Sequence, residues 1–161
     1  MKKLAALIAI MIMSLGNAAY SQNSLYVVNN LAETISYINL DNGDVENHIA
    51  SVGTSPNDIK IQDNKAYILN SISDNIHIFN LESHTMERTI EFQRYGNPWE
   101  MVFADDGYVY VTNFISGKVY EVDINSGNIT REFQVGATLE GIFIASGKLF
   151  ITDTNYDPNT Y

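Results

Sequence analysis

The sequence predicts an all-β protein built from repeated sheets, and three observations support this prediction. One four-residue segment recurs, as Tyr-Val-Val-Asn at 26–29, Tyr-Ile-Leu-Asn at 67–70, Tyr-Val-Thr-Asn at 110–113 and Phe-Ile-Thr-Asp at 150–153. The copies are 41, 43 and 40 residues apart, the length of chain that one four-stranded propeller blade uses. Apolar and polar residues alternate within the repeats, as in half-buried strands. We therefore predict a partial β-propeller, with about three to four of an expected six to eight blades.

Two strands joined by a polar loop are predicted in each repeat. The recurring Tyr-Val-Thr-Asn-like segment is the first strand, and a loop with Asn, Ser or Gly follows it at 30–34, 71–75 and 114–118. The next strand aligns at 35–40, 76–81 and 119–124, with the same offsets of 41 and 43 residues. A tight turn follows this strand, and Gly43 and Gly127 supply the positive φ that a short hairpin prefers.

The remaining two strands of each repeat are predicted to lie in different environments. The more polar one, at 45–49, 86–90 and 129–133, carries charges such as Glu87 and Arg131, which suit a solvent-facing edge. The other follows a glycine and is predicted at 59–61, 101–103 and 142–144. Short apolar strands of this kind fit the crowded centre of a ring.

Residues 1–21 are predicted to be a secretory signal. Lys2 and Lys3 precede an apolar run at 4–15, and small or polar residues follow at 16–21. The run is shorter than the roughly 20 residues that a membrane-spanning helix needs. We expect the signal to be removed, the mature chain not to insert into a membrane, and the protein to be periplasmic or extracellular.

Composition argues against several classes of function. The sequence has no cysteine, so it offers no disulfide, thiolate nucleophile or thiolate metal ligand. Nineteen acidic and nine basic residues give a formal net charge of −10. Such a surface repels phosphate backbones and anionic lipid, so we expect no nucleic acid partner. The sequence also lacks the Gly-x-Ser-x-Gly motif of many hydrolases.

The third repeat resembles the YVTN-repeat β-propellers, a family that includes the YncE-like exported proteins of bacteria. The resemblance rests on Tyr-Val-Thr-Asn at 110–113, Ser-Gly-Lys-Val-Tyr-Glu-Val-Asp at 116–123, Gly127, and Val-Gly at 135–136. The usual proline before the inner strand stands at Pro56 and Pro98 and is replaced by Leu139. The resemblance implies that the strand after the glycine lines the central channel, with the Tyr-Val-Thr-Asn strand second from the centre.

On this basis residues 22–161 divide into four blades. Blade 1 is partial at 24–52, blades 2 and 3 are complete at 53–95 and 96–135, and blade 4 is partial at 136–161. We expect the sequence to be the N-terminal part of a longer propeller, because a ring of this period needs more chain. Pairing of two chains into one ring is the rival arrangement, and the strand order disfavours it. Alone, residues 22–161 would expose apolar sheet faces and are expected to aggregate or pack loosely.

One face of the predicted disc collects the candidate binding residues. The loops after the Tyr-Val-Thr-Asn strands and the segments leading into the inner strands open on this face. Carboxylates that converge at a channel mouth are suited to a hard divalent cation, and the alternative is that they are simply solvated. The candidates on this face are Asp58, Trp99, Glu100, Asn113 and Glu140.

Other polar and aromatic positions also allow two interpretations. Trp99, the only tryptophan, is suited either to stacking on a sugar or peptide or to packing between blades. The Asn that ends each Tyr-Val-Thr-Asn strand, such as Asn113, is predicted to tie down the following turn. Asp153, Asn155 and Asp157 alternate as at the start of a calcium loop, or they form an ordinary turn rich in Asn and Asp.

These features favour an exported binding or scaffold protein, not an enzyme, that presents its loop face to a protein, peptide or glycan. No cofactor is expected apart from the divalent cation considered above. The alternative is a metal-dependent hydrolase resembling the propeller lactonases, with a channel metal held by carboxylates such as Asp58 and Glu100. A rise in melting temperature with metal, lost on substitution of either carboxylate, would favour the hydrolase.

Overall fold

Four antiparallel sheets make up the computed structural model, which describes residues 23–92, 95–104 and 107–157. Within these ranges the chain forms strands, turns and bends, and no helix. The described part accordingly contains no helix that is long and apolar enough to cross a bilayer. The predicted signal at 1–21 lies outside the described residues. The strands are β1 (Ser24–Asn29), β2 (Thr34–Asn39), β3 (Val45–Ser51), β4 (Pro56–Gln62), β5 (Lys65–Asn70), β6 (Asn75–Asn80), β7 (Thr85–Glu91), β8 (Pro98–Phe103), β9 (Tyr108–Asn113), β10 (Lys118–Asp123), β11 (Asn128–Gln134), β12 (Leu139–Ala145) and β13 (Lys148–Asp153).

Each sheet is a meander in which strands adjacent in the chain pair with one another. The first sheet contains β1 to β3, the second β4 to β7, the third β8 to β11, and the fourth β12 and β13. The recurring Tyr-Val-Thr-Asn-like segments form β1, β5, β9 and β13, one in each sheet. Where a strand precedes them in the same sheet, they are second in the order. The all-β prediction is therefore confirmed.

The sheets pack face to face because alternate side chains of a strand point to opposite faces. In β5, Ala66 and Ile68 are fully buried against Ile35 of the first sheet. Tyr67 and Leu69, on the other face of β5, join the largest apolar cluster with Met101 and other residues of the third sheet. A further cluster between the third and fourth sheets contains Val119, Leu139 and Ile142. Three apolar layers thus hold the four sheets together.

The first strands of successive sheets lie next to one another along one side of the stack. β8 contacts β4 and β5 of the second sheet on one side and β12 of the fourth sheet on the other. β4 in turn contacts β1. This arrangement places the strands predicted at the ring centre side by side, where their side chains meet across sheet boundaries.

The inner strands begin about three residues before their predicted starts, since β4, β8 and β12 open at Pro56, Pro98 and Leu139. Pairing continues this far because a β-bulge follows the first residue of each strand, as between Pro56 and Asp58 opposite β5. Asp58, Trp99, Glu100 and Glu140 were predicted in the segments that lead into the inner strands, and the earlier strand starts include these segments. All four lie within strands, at or beside the bulges.

The glycine before each inner strand packs on the last residue of the next strand. A Cβ on Gly53 would lie 2.7 Å from Cγ of Asn70, and a Cβ on Gly96 would lie 2.8 Å from Oδ1 of Asn113. These separations are far below a normal contact, so only glycine fits without a shift of the side chain. The repeated Gly and the repeated Asn of the sequence therefore pack against each other.

Candidate functional site

Two of the predicted site carboxylates link neighbouring sheets. Asp58 Oδ2 accepts a hydrogen bond of 3.0 Å from the backbone N–H of Met101. Glu100 Oε2 accepts one of 3.1 Å from the backbone N–H of Ile142. Both donors follow the bulge of the next inner strand, where strand pairing is interrupted. Each carboxylate thus satisfies a backbone N–H group on the edge strand of the neighbouring sheet.

Lys60 pairs with both of these carboxylates. Its Nζ lies 3.1 Å from Asp58 Oδ1 and 3.5 Å from Glu100 Oε1. Burial raises the pKa of Asp58, and the Met101 N–H and the Lys60 ammonium partly oppose this shift. The ammonium occupies the position between two carboxylates that a divalent cation would otherwise take. Among the described residues, no three His, Asp or Glu side chains are grouped closely enough to bind a metal ion.

Asn113 holds a turn and contributes no exposed group to the loop face. Its side chain is fully buried. The Nδ2 donates to the backbone carbonyl of Lys118 at 3.2 Å and to that of Val111 at 3.3 Å. Asn70 makes the corresponding bond across its own turn, from Nδ2 to Asn75 Oδ1 at 2.9 Å. The repeated Asn therefore stabilises the loop that follows it, and Asn113 is not accessible to a ligand.

The carboxylate of Asp153 also organises backbone. Its oxygens accept N–H groups of Ala137 and Thr138, both at 3.1 Å, and of Asn155 at 3.0 Å. These three donors lower the pKa of Asp153. Residues 154–157 form an irregular segment after β13, and Asp153 is engaged with the backbone of its own chain.

Trp99 begins a row of three aromatic rings on the loop face, which we call the aromatic strip. Its ring centroid lies 5.0 Å from that of Phe114, and the Phe114 centroid lies 6.2 Å from that of Tyr156. Trp99 is 37% exposed and Tyr156 43% exposed. Phe114 comes from the loop between β9 and β10, and Tyr156 follows β13, so the strip spans the third and fourth sheets.

The strip breaks the repeat at each of its three positions. Trp99 aligns with Asn57 and Glu140, and Phe114 follows Asn113 where other repeats have small polar residues. Aromatic residues at these places are therefore not required by the sheet-stacking pattern. The residues that align with Phe114 or Tyr156 in the other repeats are Asn30, Ala32, Ser71, Ser73, Ser116 and Thr154.

Side chains of the second sheet hold the backbone beneath Trp99. Asn57 Nδ2 donates to the Trp99 carbonyl at 2.6 Å, and Ser71 Oγ donates to the Pro98 carbonyl at 2.8 Å. Asn57 Oδ1 also lies within hydrogen-bond distance of Ser71 Oγ, so the single Ser71 hydroxyl proton is shared between Asn57 and the Pro98 carbonyl. Such bonds fix the start of β8, so that the indole is held in place before any ligand arrives.

Clefts border the strip on both sides. One of about 390 Å³ is lined by Phe114, Glu140, Thr154 and Tyr156. A second cleft, of about 280 Å³, is lined by Asn57 and Asp58 of β4 and by Trp99 and Glu100 of β8. A larger groove of about 510 Å³ runs between the loop after β5 and the segment before β8, with Ile115 on its wall. The loop face thus carries three concave surfaces.

The structure brings four predicted residues together and adds two that sequence reasoning missed. Asp58, Trp99, Glu100 and Glu140 all line the clefts at the inner strands. Phe114 and Tyr156 were not among the candidates. Alignment of the four repeats holds the missing signal, because both residues are aromatic where their counterparts are small or polar.

Comparison with protein families finds no match, and comparison with curated proteins finds none either. Solved structures do match, with low identity. Hydrazine synthase from Kuenenia stuttgartiensis is 21% identical over 84% of this chain and 43% of its own, with a TM-score of 0.70. A catalytically inactive virginiamycin B lyase from Staphylococcus aureus, solved with quinupristin, is 16% identical over 82% of this chain and 46% of its own, with a TM-score of 0.69.

The computationally designed Ika8 protein also matches, at 12% identity over 83% of this chain and 41% of its own, with a TM-score of 0.67. The chain spans less than half the length of each of these three structures. These likenesses establish the fold. Together with the four meander sheets, they confirm that the chain has a partial β-propeller fold.

Proposed function

We propose that the chain is part of an exported β-propeller of the YVTN-repeat type that binds a protein, peptide or glycan on its loop face. The aromatic strip of Trp99, Phe114 and Tyr156 is the observation that carries this proposal. Exposed aromatic rings provide large flat apolar contact areas that lose little conformational freedom on binding. The clefts beside the strip would surround a bound group on more than one side.

Hydrolysis through a channel metal is the weaker proposal. Its two carboxylates, Asp58 and Glu100, already serve Lys60 and the backbone of the neighbouring sheets. A hydrolase of this kind would need further carboxylates or histidines from outside the described residues. The binding proposal needs only groups that are present on this face.

A binding screen with strip variants tests the proposal. The full-length protein is applied to a glycan array and to a peptide array, and the double variant W99A/F114A is applied in parallel. F133A is the matched control, because Phe133 is 38% exposed, similar to Trp99, and lies on the outer strand β11.

We expect wild type and F133A to bind the same array members, and the strip variant to bind them about tenfold or more weakly. Equal binding by the strip variant would overturn the proposal, as would the absence of any wild-type ligand on both arrays. Circular dichroism of the strip variant checks that its sheets are intact.

A further inference from the structure

Glu140 differs from the other carboxylates at the inner strands because it makes no ion pair. Asp58 and Glu100 share Lys60, whereas none of the five ion pairs among the described residues includes Glu140. Its side chain lines the cleft between Phe114 and Tyr156. Its backbone carbonyl is held by Thr112 Oγ1 at 2.7 Å, which fixes the strand at this point. A glutamate without an ion pair, on a backbone that is held in place, therefore lines the same cleft as two aromatic rings.

A cleft with these walls suits a positively charged group. The faces of aromatic rings carry partial negative charge and attract Lys and Arg side chains, with Arg the more frequent partner. A carboxylate beside the rings adds a direct ion pair, bidentate for a guanidinium. The formal net charge of −10 draws cations toward the surface and repels anions. The negative charge of the protein and the aromatic rings of the cleft thus both favour a positively charged ligand.

Exposed aliphatic residues continue the site beyond the strip. Leu31, Ile72 and Ile115 occupy the same position of successive repeats, two residues after the last residue of the Tyr-Val-Thr-Asn strand. They are 99%, 65% and 61% exposed, so they contribute little to packing within the fold. Ile72 and Ile115 line the groove of about 510 Å³ between the second and third sheets. The two isoleucines offer apolar contact to a ligand at the loop tips, in a groove that is otherwise lined by the polar residues Ser71, Ser73, Asp74, Asn75, Tyr95 and Asn97.

The cleft at Glu140 and the groove at Ile72 and Ile115 are both lined by the loop between β9 and β10. Phe114 lines the first and Ile115 the second, and these residues are consecutive in the chain. One extended ligand is therefore able to cover both. An Arg or Lys residue of a peptide supplies the cation that the cleft at Glu140 favours, and an aliphatic side chain of the same peptide buries apolar area against Ile72 and Ile115.

We infer that the ligand of the loop face is a peptide segment that carries an Arg or Lys residue close to an aliphatic residue. The cation lies against Glu140 and the rings of Phe114 and Tyr156, and the aliphatic side chain lies in the groove between Ile72 and Ile115. This inference rests on the proposed binding function and names its ligand class.

The test uses peptides that the array identifies, labelled with fluorescein and titrated against the full-length protein by fluorescence anisotropy. Each peptide is compared with a version in which Arg and Lys are replaced by Gln. The protein variants are E140Q and I115S. E82Q is the matched control, since it removes the same charge from the exposed turn between β6 and β7 at the opposite end of the strands.

We expect loss of the peptide cation and the substitution E140Q each to weaken binding about 5- to 10-fold. When E140Q is combined with the neutral peptide, the loss of affinity should be smaller than the product of the two separate losses, because both changes remove the same contact. I115S should weaken binding independently of the peptide charge, and E82Q should change it less than twofold.

Glycans as the only array ligands, or neutral and acidic peptides that bind as well as basic ones, would overturn this inference. So would an E140Q variant that binds basic peptides like wild type. In each of these cases a loss of binding by W99A/F114A would still support the loop face as a binding site, so the two proposals fail separately.

Discussion

Glu121 illustrates how single charged residues stabilise this fold. The carboxylate is buried in β10 and accepts hydrogen bonds from Tyr110 Oη at 2.9 Å, Thr130 Oγ1 at 2.7 Å and the guanidinium of Arg131. The Arg131 bonds are the largest of the effects that lower the pKa of Glu121 to about 2. Arg131 itself is largely exposed, so it covers the carboxylate from the solvent side.

The first prediction follows from this shift. Because the pKa is lower in the folded state than the unfolded value of 4.5, Glu121 stabilises the fold fully above about pH 4.5. The contribution falls as the pH drops from there toward 2. We expect E121Q to lower the free energy of unfolding by about 1 to 2 kcal/mol at pH 7, a value reduced for solvent screening of Arg131.

Urea denaturation of the full-length protein and of E121Q between pH 7 and pH 2 measures this contribution. The difference between the two should shrink toward zero as the pH approaches 2. A difference that stays constant over this range would show that the charge of Glu121 is not the source of the stability. The variant E46Q, on the exposed strand β3, is the control.

Strands of adjacent sheets depend on each other through the carboxylates of the inner strands. Glu100 on β8 accepts the Ile142 N–H of β12, and Asp58 on β4 accepts the Met101 N–H of β8. Threonines assist at the same bulges, because Thr112 Oγ1 accepts the Glu100 N–H at 3.2 Å and Thr152 Oγ1 accepts the Gly141 N–H at 2.7 Å. The first residues of β8 and β12, at the bulges, are thus held by hydrogen bonds to the preceding sheet and to their own sheet.

The second prediction concerns β12. Substitution E100A removes the acceptor of the Ile142 N–H, so this amide should open more often. Hydrogen exchange measured by mass spectrometry should become about 5- to 10-fold faster for peptides covering Leu139–Ala145. E140A serves as the control, because only the backbone of Glu140 takes part in holding the strand. Unchanged exchange in E100A would contradict a role for this link.

The strand pattern was largely predictable from the sequence, whereas the bulges were not. The recurring segments coincide with β1, β5, β9 and β13, because their alternation reflects which side chains face a neighbouring sheet. The early starts of β4, β8 and β12 depend on cross-strand pairing around a bulge, which one strand's sequence does not encode. The acceptor roles of Asp58 and Glu100 likewise require knowledge of the neighbouring sheet.

The stack of sheets leaves apolar side chains uncovered at both of its ends. On the fourth sheet Phe143 and Phe150 are cross-strand neighbours and are 63% and 54% exposed. On the first sheet Leu25 and Val27 of β1 point away from the second sheet and are also exposed. Propeller blades normally cover such faces with a neighbouring blade. The chain spans less than half the length of the structures compared above.

The third prediction is that residues 22–161 alone associate in solution through these faces. Size-exclusion chromatography with light scattering should detect species larger than the monomer of a chain of this size. The double variant F143S/F150T should reduce the association, since it makes one face polar. L31S, which changes an exposed loop residue, should not. A monodisperse monomer with a cooperative unfolding transition would contradict the prediction.

The candidate site was predictable in part, for reasons that differ between residues. Trp99 stood out as a single tryptophan at a repeat position otherwise held by Asn57 and Glu140. Phe114 and Tyr156 lie 15 and 57 residues further along the chain, so their proximity to Trp99 appears only once the sheets are stacked. Asn113 was included because its loop opens on this face, but burial of its amide removes it from the surface.

Footprinting of the aromatic strip tests the central claim most directly. Hydroxyl radicals oxidise exposed aromatic side chains, and mass spectrometry locates the oxidised residue. With the full-length protein saturated by a ligand from the arrays, we predict at least about a threefold reduction in oxidation of Trp99, Phe114 and Tyr156, as expected for rings covered in a binding site. Phe133 on β11 should be oxidised as in the free protein. Equal oxidation of the three strip residues with and without bound ligand would contradict the claim that they form the binding site.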